Sequence, residues 1–447
     1  MNDERIDLYK HFERINYIDP SYYEKFRVKR GLRNADGTGV LAGMTNISNV
    51  HGYLLSDGDK LSDEGSLRLR GYEITDLLGE ESSTTRFSFE EVAYLLLLGE
   101  LPTRDQLDTF IAAIDAQREL PDGFTASMIL KDTPPDIMNV LARSILLLYA
   151  YDPNAEDRSP EHEINTAISL MSRVPRMMVL TYYAQQARYH NGSMIMHRFI
   201  PGQSTAETIL SMLRPNREFM PEEARMLDVM LCLHAEHGGG NNSTFTTRVM
   251  SSADTDPYSV YAAAICSLKG KKHGGANHQV RAMQADIKQH VSNWEDDDEV
   301  ADYLAKIVNK QAYDKSGLVY GMGHAVYTLS DPRAMICKKY AKKLAEGTEF
   351  EAEYRLLESI ERLAPEVILR ERGTKKDMCA NIDMYSGFVY SMMGIPEDLY
   401  TPLFACARMA GWAAHRFEEI VAGKRIIRPA YKSTRSGSRP YTPISER

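Results

Sequence analysis

The feature that most constrains the fold of this chain is a repeated signal for the start of a helix, followed by apolar residues at helical spacing. Ser88, Thr103 and Ser204 are each followed three residues later by Glu or Gln, a pattern in which two side chains satisfy free backbone N–H groups. After Thr103, Leu107 and Ile111 recur one helical turn apart. These patterns predict that the body of the protein is helical.

Strand-like alternation is confined to short stretches before residue 80. Residues 40–44 and 52–55 are the two examples, and each is flanked by Gly, Asp and Asn residues, which are typical of turns. The acidic run at 295–299 precedes an apolar stripe, and we expect it to complement the positive end of a helix dipole rather than to bind a metal. The tail from Lys432 to Arg447 has no helical stripe and is expected to be irregular. The predicted fold class is therefore all-α with a small N-terminal β element.

Length and charge limit the class of protein further. The 447 residues exceed the roughly 250 to 300 that one hydrophobic core can serve, so we expect at least two lobes. A formal net charge of −9 has the wrong sign for nucleic-acid binding. No apolar run approaches the roughly 20 residues needed to cross a bilayer, and the first residues lack the pattern of a signal or transit peptide. We expect a cytoplasmic protein with reduced cysteines and neither a nucleic-acid nor a membrane partner.

Three separated segments combine residues suited to proton transfer. His273 precedes two glycines, His324 follows a glycine-rich stretch, and Asp383 lies in a mostly apolar neighbourhood. Taken singly, each is more often a helix cap or a satisfied core residue. Together they form a set that can move protons on and off carbon and oxygen, because imidazole titrates near neutral pH and carboxylate accepts protons.

A metal site is the weaker interpretation of the histidines at 234 and 237. Their spacing is not that of H-E-x-x-H, no third ligand lies close in sequence, and the cysteines are scattered. The glycine-rich stretches also fail as a P-loop or a dinucleotide-binding fingerprint. We therefore expect no metal.

The ordered motifs of the chain resemble those of the citrate synthase family. They are H-x-x-H-G-G-G-N at 234–241, H-G-G-A-N at 273–277, G-x-G-H-A-V-Y at 321–327, D-P-R at 331–333, N-I-D-x-Y-S-G at 381–387, A-R-x-x-G-W at 407–412 and R-P at 428–429. The resemblance spans about residues 66–430. It implies a homodimer with a two-domain helical fold, in which residues 1–273 and 379–447 form a large domain and residues 274–378 form a small one.

The resemblance also implies an activity, the condensation of acetyl-CoA with oxaloacetate and hydrolysis of the thioester, with no cofactor. Asp383 would take a methyl proton, His273 would hydrogen-bond the enolate oxygen, and His324 would protonate the oxaloacetate carbonyl. By the same resemblance, His237 and three arginines would bind oxaloacetate: Arg333, Arg408 and Arg428, the last from the other subunit.

For CoA, the resemblance points to the loop before His324, which comprises Leu318, Val319, Tyr320, Gly321, Met322 and Gly323. Ala325 and Thr328 stand where many relatives carry a basic residue facing the CoA phosphates. Lys375 with Lys376, or Lys271 with Lys272, are the candidate cations instead.

Two alternatives remain open from the sequence. A 2-methylcitrate synthase would use the same residues on propionyl-CoA, and one methylene changes discrimination by only about 1 to 3 kcal/mol. A helical scaffold protein without catalysis is the alternative of another class, and the presence of all three proton-transfer residues argues against it.

Overall fold

A computed structural model describes residues 11–34, 36–56, 59–79, 86–373, 377–435 and 437–446. The chain forms two compact units, a larger one at residues 44–426 and a smaller one that combines residues 1–43 with 427–447. The predicted lobe boundaries at 273/274 and 378/379 lie inside the larger unit and stay a prediction.

The larger unit is mainly helical, as predicted. Its helices are α2 (Ile74–Leu77), α3 (Ser88–Leu98), α4 (Arg104–Ala116), α5 (Ile137–Leu148), α6 (Pro160–Tyr189), α7 (Thr205–Leu213), α8 (Pro221–Ala235), α9 (Asn242–Ser252), α10 (Pro257–Leu268), α11 (Ala276–His290), α12 (Asp297–Val308), α13 (Pro332–Ala345), α14 (Glu351–Arg372), α15 (Asp383–Met392) and α16 (Tyr400–Ala422); the label α1 is kept for Ser21–Lys25 in the smaller unit. Within the described part of the chain, none of these helices is long and apolar enough to cross a membrane.

Helix starts follow local side-chain chemistry in most of the predicted places. Capping boxes form at Thr103 and at Ser204, where the side chain three residues later bonds back to the cap. The acidic run also begins a helix as predicted, because the Asp296 carboxylate accepts from the backbone N–H groups of Asp298 and Glu299 at the start of α12. These caps satisfy backbone donors that the first helical turn leaves free.

The capping box predicted at Ser88 does not form. The Asp228 carboxylate of α8 instead accepts from the backbone N–H groups of Ser88 and Phe89, at 3.1 and 3.0 Å. The Ser88 hydroxyl accepts a hydrogen bond from Arg225. A distant carboxylate therefore replaces the local cap, which the sequence pattern could not indicate.

The β element is a three-stranded antiparallel sheet in the order β1 (Ser48–Ser56), β2 (Asp59–Leu69) and β3 (Tyr72–Glu73). The predicted strand at 52–55 lies within β1. The one predicted at 40–44 is wrong, because that segment is irregular and Leu41 and Met44 are 92% and 93% exposed, with no sheet against which to alternate.

The core of the larger unit surrounds α16. Its side chains from Tyr400 to Arg416 are mostly buried, including Trp412 at 0% exposure. The smaller unit contains α1 and a 3₁₀ turn at Arg30–Leu32, and Lys432 lies over the Phe26 ring. As predicted, the described part of the tail is irregular apart from a single turn at Ile444–Glu446.

Candidate active site

The backbone segment that precedes His324 is hydrogen-bonded to the segment that leads to Asp383. The Gly323 N–H donates to the Cys379 carbonyl at 2.7 Å, and the Asn381 N–H donates to the Gly321 carbonyl at 2.9 Å. Gly321 and Gly323 have φ of 86° and 84°, a conformation that favours glycine. At Gly321 a Cβ would also lie 3.2 Å from the Cα of Met384. The glycines therefore allow the close contact between the two segments.

His324 has a defined proton position. Its Nδ1 accepts hydrogen bonds from the backbone N–H groups of Val326 and Tyr327, at 3.0 and 3.2 Å. A nitrogen that accepts carries no proton, so in the neutral ring the proton resides on Nε2. The ring centroid lies 5.0 Å from that of His237.

His237 follows helix α8 and is 9% exposed. Its Nε2 lies 3.1 Å from the Tyr327 hydroxyl. Burial, followed by the positive charge of Arg333, holds the pKa of His237 well below its usual range. The ring is therefore neutral at physiological pH.

His273 is fixed by the start of α9. Its Nε2 accepts from the Ser243 N–H at 3.3 Å and lies 2.9 Å from the Ser243 hydroxyl oxygen. Burial and the nearby Arg408 lower the pKa of His273 to about 4. A neutral ring with Nε2 as the acceptor has its proton on Nδ1, which makes that atom the hydrogen-bond donor.

Asp383 lies at the first position of α15, partly exposed, and its backbone N–H donates to the Asn381 side chain at 3.0 Å. Burial raises the pKa of Asp383 to about 6, against the opposing charge of Arg333. A carboxylate with that pKa is a stronger base than an ordinary aspartate and is still ionised at neutral pH.

Two buried guanidinium groups lie near these residues. Arg333 forms a two-point ion pair with Asp331, with its Nη2 2.8 Å from Oδ2. Arg408 donates from Nε to the His234 carbonyl at 2.6 Å, but its buried Nη2 has no hydrogen-bond partner among the described residues. A buried unpaired donor costs about 1 to 3 kcal/mol, so Arg408 favours the binding of an anion.

The predicted CoA residues divide into three groups. Leu318, Val319, Met322 and Gly323 line a cavity of about 250 Å³ with His324. Tyr320 and Gly321 do not line it, and the Tyr320 hydroxyl donates to Asp314 at 2.7 Å. Lys375 and Lys376 lie outside the described residues.

Arg428 is exposed and belongs to the smaller unit, whereas the other predicted oxaloacetate ligands belong to the larger one. No group of three or more His, Cys, Asp or Glu side chains in the described ranges could hold a metal ion.

The β1–β2 hairpin holds the loop that follows His324. The Thr328 hydroxyl donates to the Gly52 carbonyl at 2.5 Å, and the Gly65 N–H donates to Ser330 at 2.9 Å. A Cβ at Gly65 would lie 2.0 Å from the Ser330 carbonyl oxygen and 2.9 Å from Tyr327. The hairpin thus fixes the loop whose tyrosine lies against His237.

Several residues that contact the predicted site were not identified from the sequence. Tyr327 and Trp412 belong to motifs noted there, so a motif was available as a signal for them. Ser243, Glu236 and His415 had no assigned role, and their contacts with the site depend on long-range packing.

Known proteins resemble this chain over most of its length. A family model described as citrate synthase, C-terminal domain, matches residues 34–430. The citrate synthase of Haloferax volcanii is 34% identical, over 94% of this chain and 99% of that protein. The 2-methylcitrate synthase 1 of Corynebacterium glutamicum is 32% identical over the same shares.

Solved structures give the same result. The ternary complex of citrate synthase from Thermoplasma acidophilum with carboxymethyl coenzyme A and oxaloacetate superposes with a TM-score of 0.76 and 25% identity, covering 94% of this chain and 99% of that one. Citrate synthase from Thermotoga maritima gives a TM-score of 0.72 and 26% identity, covering 92% of this chain and 98% of that one. The chain therefore belongs to the citrate synthase family.

Proposed function

We propose that this chain condenses acetyl-CoA with oxaloacetate and hydrolyses the resulting thioester to give citrate and free CoA. The observation that carries the proposal is the combination of one carboxyl group of raised pKa with neutral histidines. His273 and His324 each have one ring nitrogen occupied as an acceptor, which leaves the other as a donor. This is the arrangement that enolisation of a thioester needs.

In the first step Asp383 removes a proton from the methyl group of acetyl-CoA. The electron pair of that C–H bond moves onto the thioester, and the negative charge develops on its oxygen. His273 donates a hydrogen bond from Nδ1 to this oxygen. A neutral donor suits this role, and the lowered pKa of His273 supports it.

In the second step the enolate carbon attacks the keto carbon of oxaloacetate. His324 donates from Nε2 to the keto oxygen and transfers its proton as the carbon–carbon bond forms, which gives citryl-CoA. Water then attacks the thioester carbonyl and gives one proton back to His324, the C–S bond breaks, and the CoA sulfur takes up the proton that Asp383 holds. The new carboxyl group ionises, so one acetyl-CoA, one oxaloacetate and one water give one citrate, one CoA and one proton.

Oxaloacetate brings two carboxylates into this site. Arg408 is the strongest candidate ligand, because its buried Nη2 has no partner in the described structure. Arg333 and His237 complete the proposed set within the larger unit, and Arg428 of a second copy would add a further cation. Guanidinium groups suit planar carboxylates because they donate two parallel hydrogen bonds.

The remaining features of the proposal rest on the resemblance. The protein would act as a cytoplasmic homodimer without a cofactor, and its lobes, divided at 273/274 and 378/379, would close over the substrates. The loop from Leu318 to Gly323 would receive the CoA, and Lys375 remains a candidate for its phosphates.

The test is release of the CoA thiol, followed with DTNB, from acetyl-CoA in the presence and absence of oxaloacetate. We expect release that depends on oxaloacetate, with citrate as the product and Asp383→Asn as the inactive control. No release from any acyl-CoA would contradict the enzyme and favour the scaffold alternative. A higher kcat/KM with propionyl-CoA would instead assign the 2-methylcitrate synthase alternative, whose relatives are nearly as similar.

A further inference from the structure

One face of helix α16 contacts the residues that hold His237 and His273 in place. Arg408, Trp412 and His415 are spaced by four and three residues, so they lie on the same face of the helix. All three are buried. Arg408 is a predicted ligand of oxaloacetate. Trp412 and His415 have no predicted contact with a substrate, so their burial on this face needs another explanation.

Trp412 is connected to His273 through one side chain. Its indole Nε1–H donates to the Ser243 hydroxyl oxygen at 3.2 Å, and that oxygen lies 2.9 Å from His273 Nε2. The Ser243 hydroxyl also lies 3.0 Å from the Asn241 side-chain oxygen. Because the indole can only donate, it directs the serine proton toward His273 or Asn241 and keeps Ser243 in place beneath the imidazole.

His415 is connected to the turn that carries His237. Arg248 donates to His415 Nδ1 at 2.7 Å, so the neutral ring carries its proton on Nε2, which lies 2.8 Å from Glu236 Oε1. The same carboxylate oxygen accepts from the Gly238 N–H at 2.6 Å. His415 therefore fixes Glu236, and Glu236 fixes the backbone immediately after His237.

Glu236 is an unusual residue to find beside a site for a dianion, because it is 1% exposed and negatively charged. Burial alone would raise its pKa, but the electrostatic interaction and hydrogen bond with His415, the charge of Arg408 and the hydrogen bond from Ser48 bring the pKa of Glu236 down to about 2. Well-packed apolar side chains often match or exceed the stability of such a buried charge. A charged group at this position is therefore better explained by geometry than by stability.

We propose that Trp412 and His415 are positioning residues, each serving a different half of the reaction. Trp412, through Ser243, orients His273 for enolisation of acetyl-CoA. His415, through Glu236, orients His237 for binding of oxaloacetate. This inference rests on the proposed function, and it predicts that the two residues affect different kinetic constants.

The variant Trp412→Phe tests whether Trp412 positions His273. It keeps an aromatic ring in place and removes the N–H donor. Loss of one hydrogen bond of about 1 kcal/mol predicts a fall in kcat of roughly five-fold. The isotope effect on kcat with trideuterated acetyl-CoA should increase, because proton removal becomes slower. The KM for oxaloacetate should stay within about two-fold of the wild-type value, since His237 keeps its contacts.

Trp294→Phe is the matched control. It removes the other tryptophan of the chain, whose indole N–H donates to the backbone carbonyls of Lys288 and Val291. It should leave every kinetic constant and the isotope effect unchanged.

The variant His415→Leu tests whether His415 positions His237, with His415→Gln as the rescue because a glutamine amide can still donate to Glu236. The leucine variant should raise the KM for oxaloacetate by roughly five-fold or more, with no change in the isotope effect at saturating oxaloacetate. The glutamine variant should recover most of the affinity. If the leucine variant does not fold, Ser48→Ala removes another donor to Glu236 Oε1, at 2.8 Å, and should raise the same KM by about two- to five-fold.

The proposal requires that the Trp412 variant changes kcat and the isotope effect, and that the His415 variant changes the KM for oxaloacetate. If Trp412→Phe behaves like Trp294→Phe, or if the Trp412 and His415 variants change the same constants in proportion to lost thermal stability, the positioning roles are refuted. In either case an active wild-type enzyme leaves the proposed function intact. A wild-type protein that releases no CoA would instead refute the function itself.

Discussion

At the residue scale, burial sets the protonation states of the histidines and the carboxyl group in the candidate site. His273 and His237 are pushed toward the neutral form, and Asp383 is pushed toward the protonated form. The same desolvation thus gives neutral donors and a strengthened base, because it disfavours the charged form of each group. The proposed division of catalytic roles would therefore follow from one physical cause.

This assignment predicts the acidic limb of the pH profile. Asp383 must be ionised to accept the methyl proton, so kcat/KM should fall below a pKa of about 6 as the carboxylate becomes protonated. His273, whose pKa is about 4, stays neutral across this range and should not contribute. The measurement is kcat/KM for acetyl-CoA from about pH 5 to about pH 9, which spans the expected titration. A limb centred more than about one pH unit below the expected value would contradict the role of Asp383.

The raised pKa of Asp383 also predicts a stability effect. The folded site prefers the protonated carboxyl, so its stabilising contribution is complete below the unfolded pKa of 3.8 and is lost as pH rises through about 6. Asp383→Asn should therefore lose turnover by roughly 10² to 10⁴ and yet unfold at a higher temperature than the wild type at neutral pH. The gain in unfolding free energy is at most about 3 kcal/mol. Thermal unfolding at acidic and neutral pH measures it, and equal stabilisation at both would contradict this account.

At the element scale, a contact can be predicted from the sequence when the interacting residues lie close together in the chain. Thr103 and its partner lie within one helical turn, so the cap was predictable. Ser88 is capped by Asp228, 140 residues away, and the local pattern indicated the wrong cap. The site follows the same rule. Its glycine–histidine motifs were visible in the sequence, but the contact between His415 and Glu236 spans 179 residues and has no local pattern.

The contact between the β1–β2 hairpin and the loop after His324 can be tested by substitution at Gly65. Gly65→Ala would place a Cβ 2.0 Å from the Ser330 carbonyl oxygen, so the strand and the loop must separate. Overpacking of this kind costs about 1 to 3 kcal/mol, and the shift would displace Tyr327 from His237. We expect lower thermal stability and a higher KM for oxaloacetate. Gly43→Ala is the control, because its Cβ would meet no atom of the described residues within 4 Å. Equal behaviour of the two variants would refute the role of the hairpin–loop contact.

At the scale of the whole molecule, the proposed lobes predict ordered binding. His237 and Arg408 would come from the large lobe and His324 and Arg333 from the small one, so a single dianion would draw the lobes together. Oxaloacetate should therefore increase the affinity for acetyl-CoA or a CoA analogue. Titration calorimetry with and without oxaloacetate measures this coupling, and equal affinities would show that it is absent.

The assignment of Arg428 to a partner's site predicts complementation between inactive variants. In a twofold dimer, each site would combine His273, His324 and Asp383 of one chain with Arg428 of the other. His273→Ala and Arg428→Ala homodimers should both be nearly inactive. After joint unfolding and refolding, a mixed dimer has one site with both defects and one with neither. Activity should therefore return in the mixture.

The opposite outcome is equally specific. If Arg428 served the site of its own chain, every site in every dimer would contain one defect, and no mixing ratio would restore turnover. Mass spectrometry of the refolded sample verifies that mixed dimers have formed, so inactivity cannot be ascribed to their absence. Arg428 is exposed and follows the long helix α16 in the chain, and without a partner's substrate to bind it would be an ordinary surface cation. Recovery of turnover in proportion to the mixed-dimer fraction is therefore the result that a shared site requires.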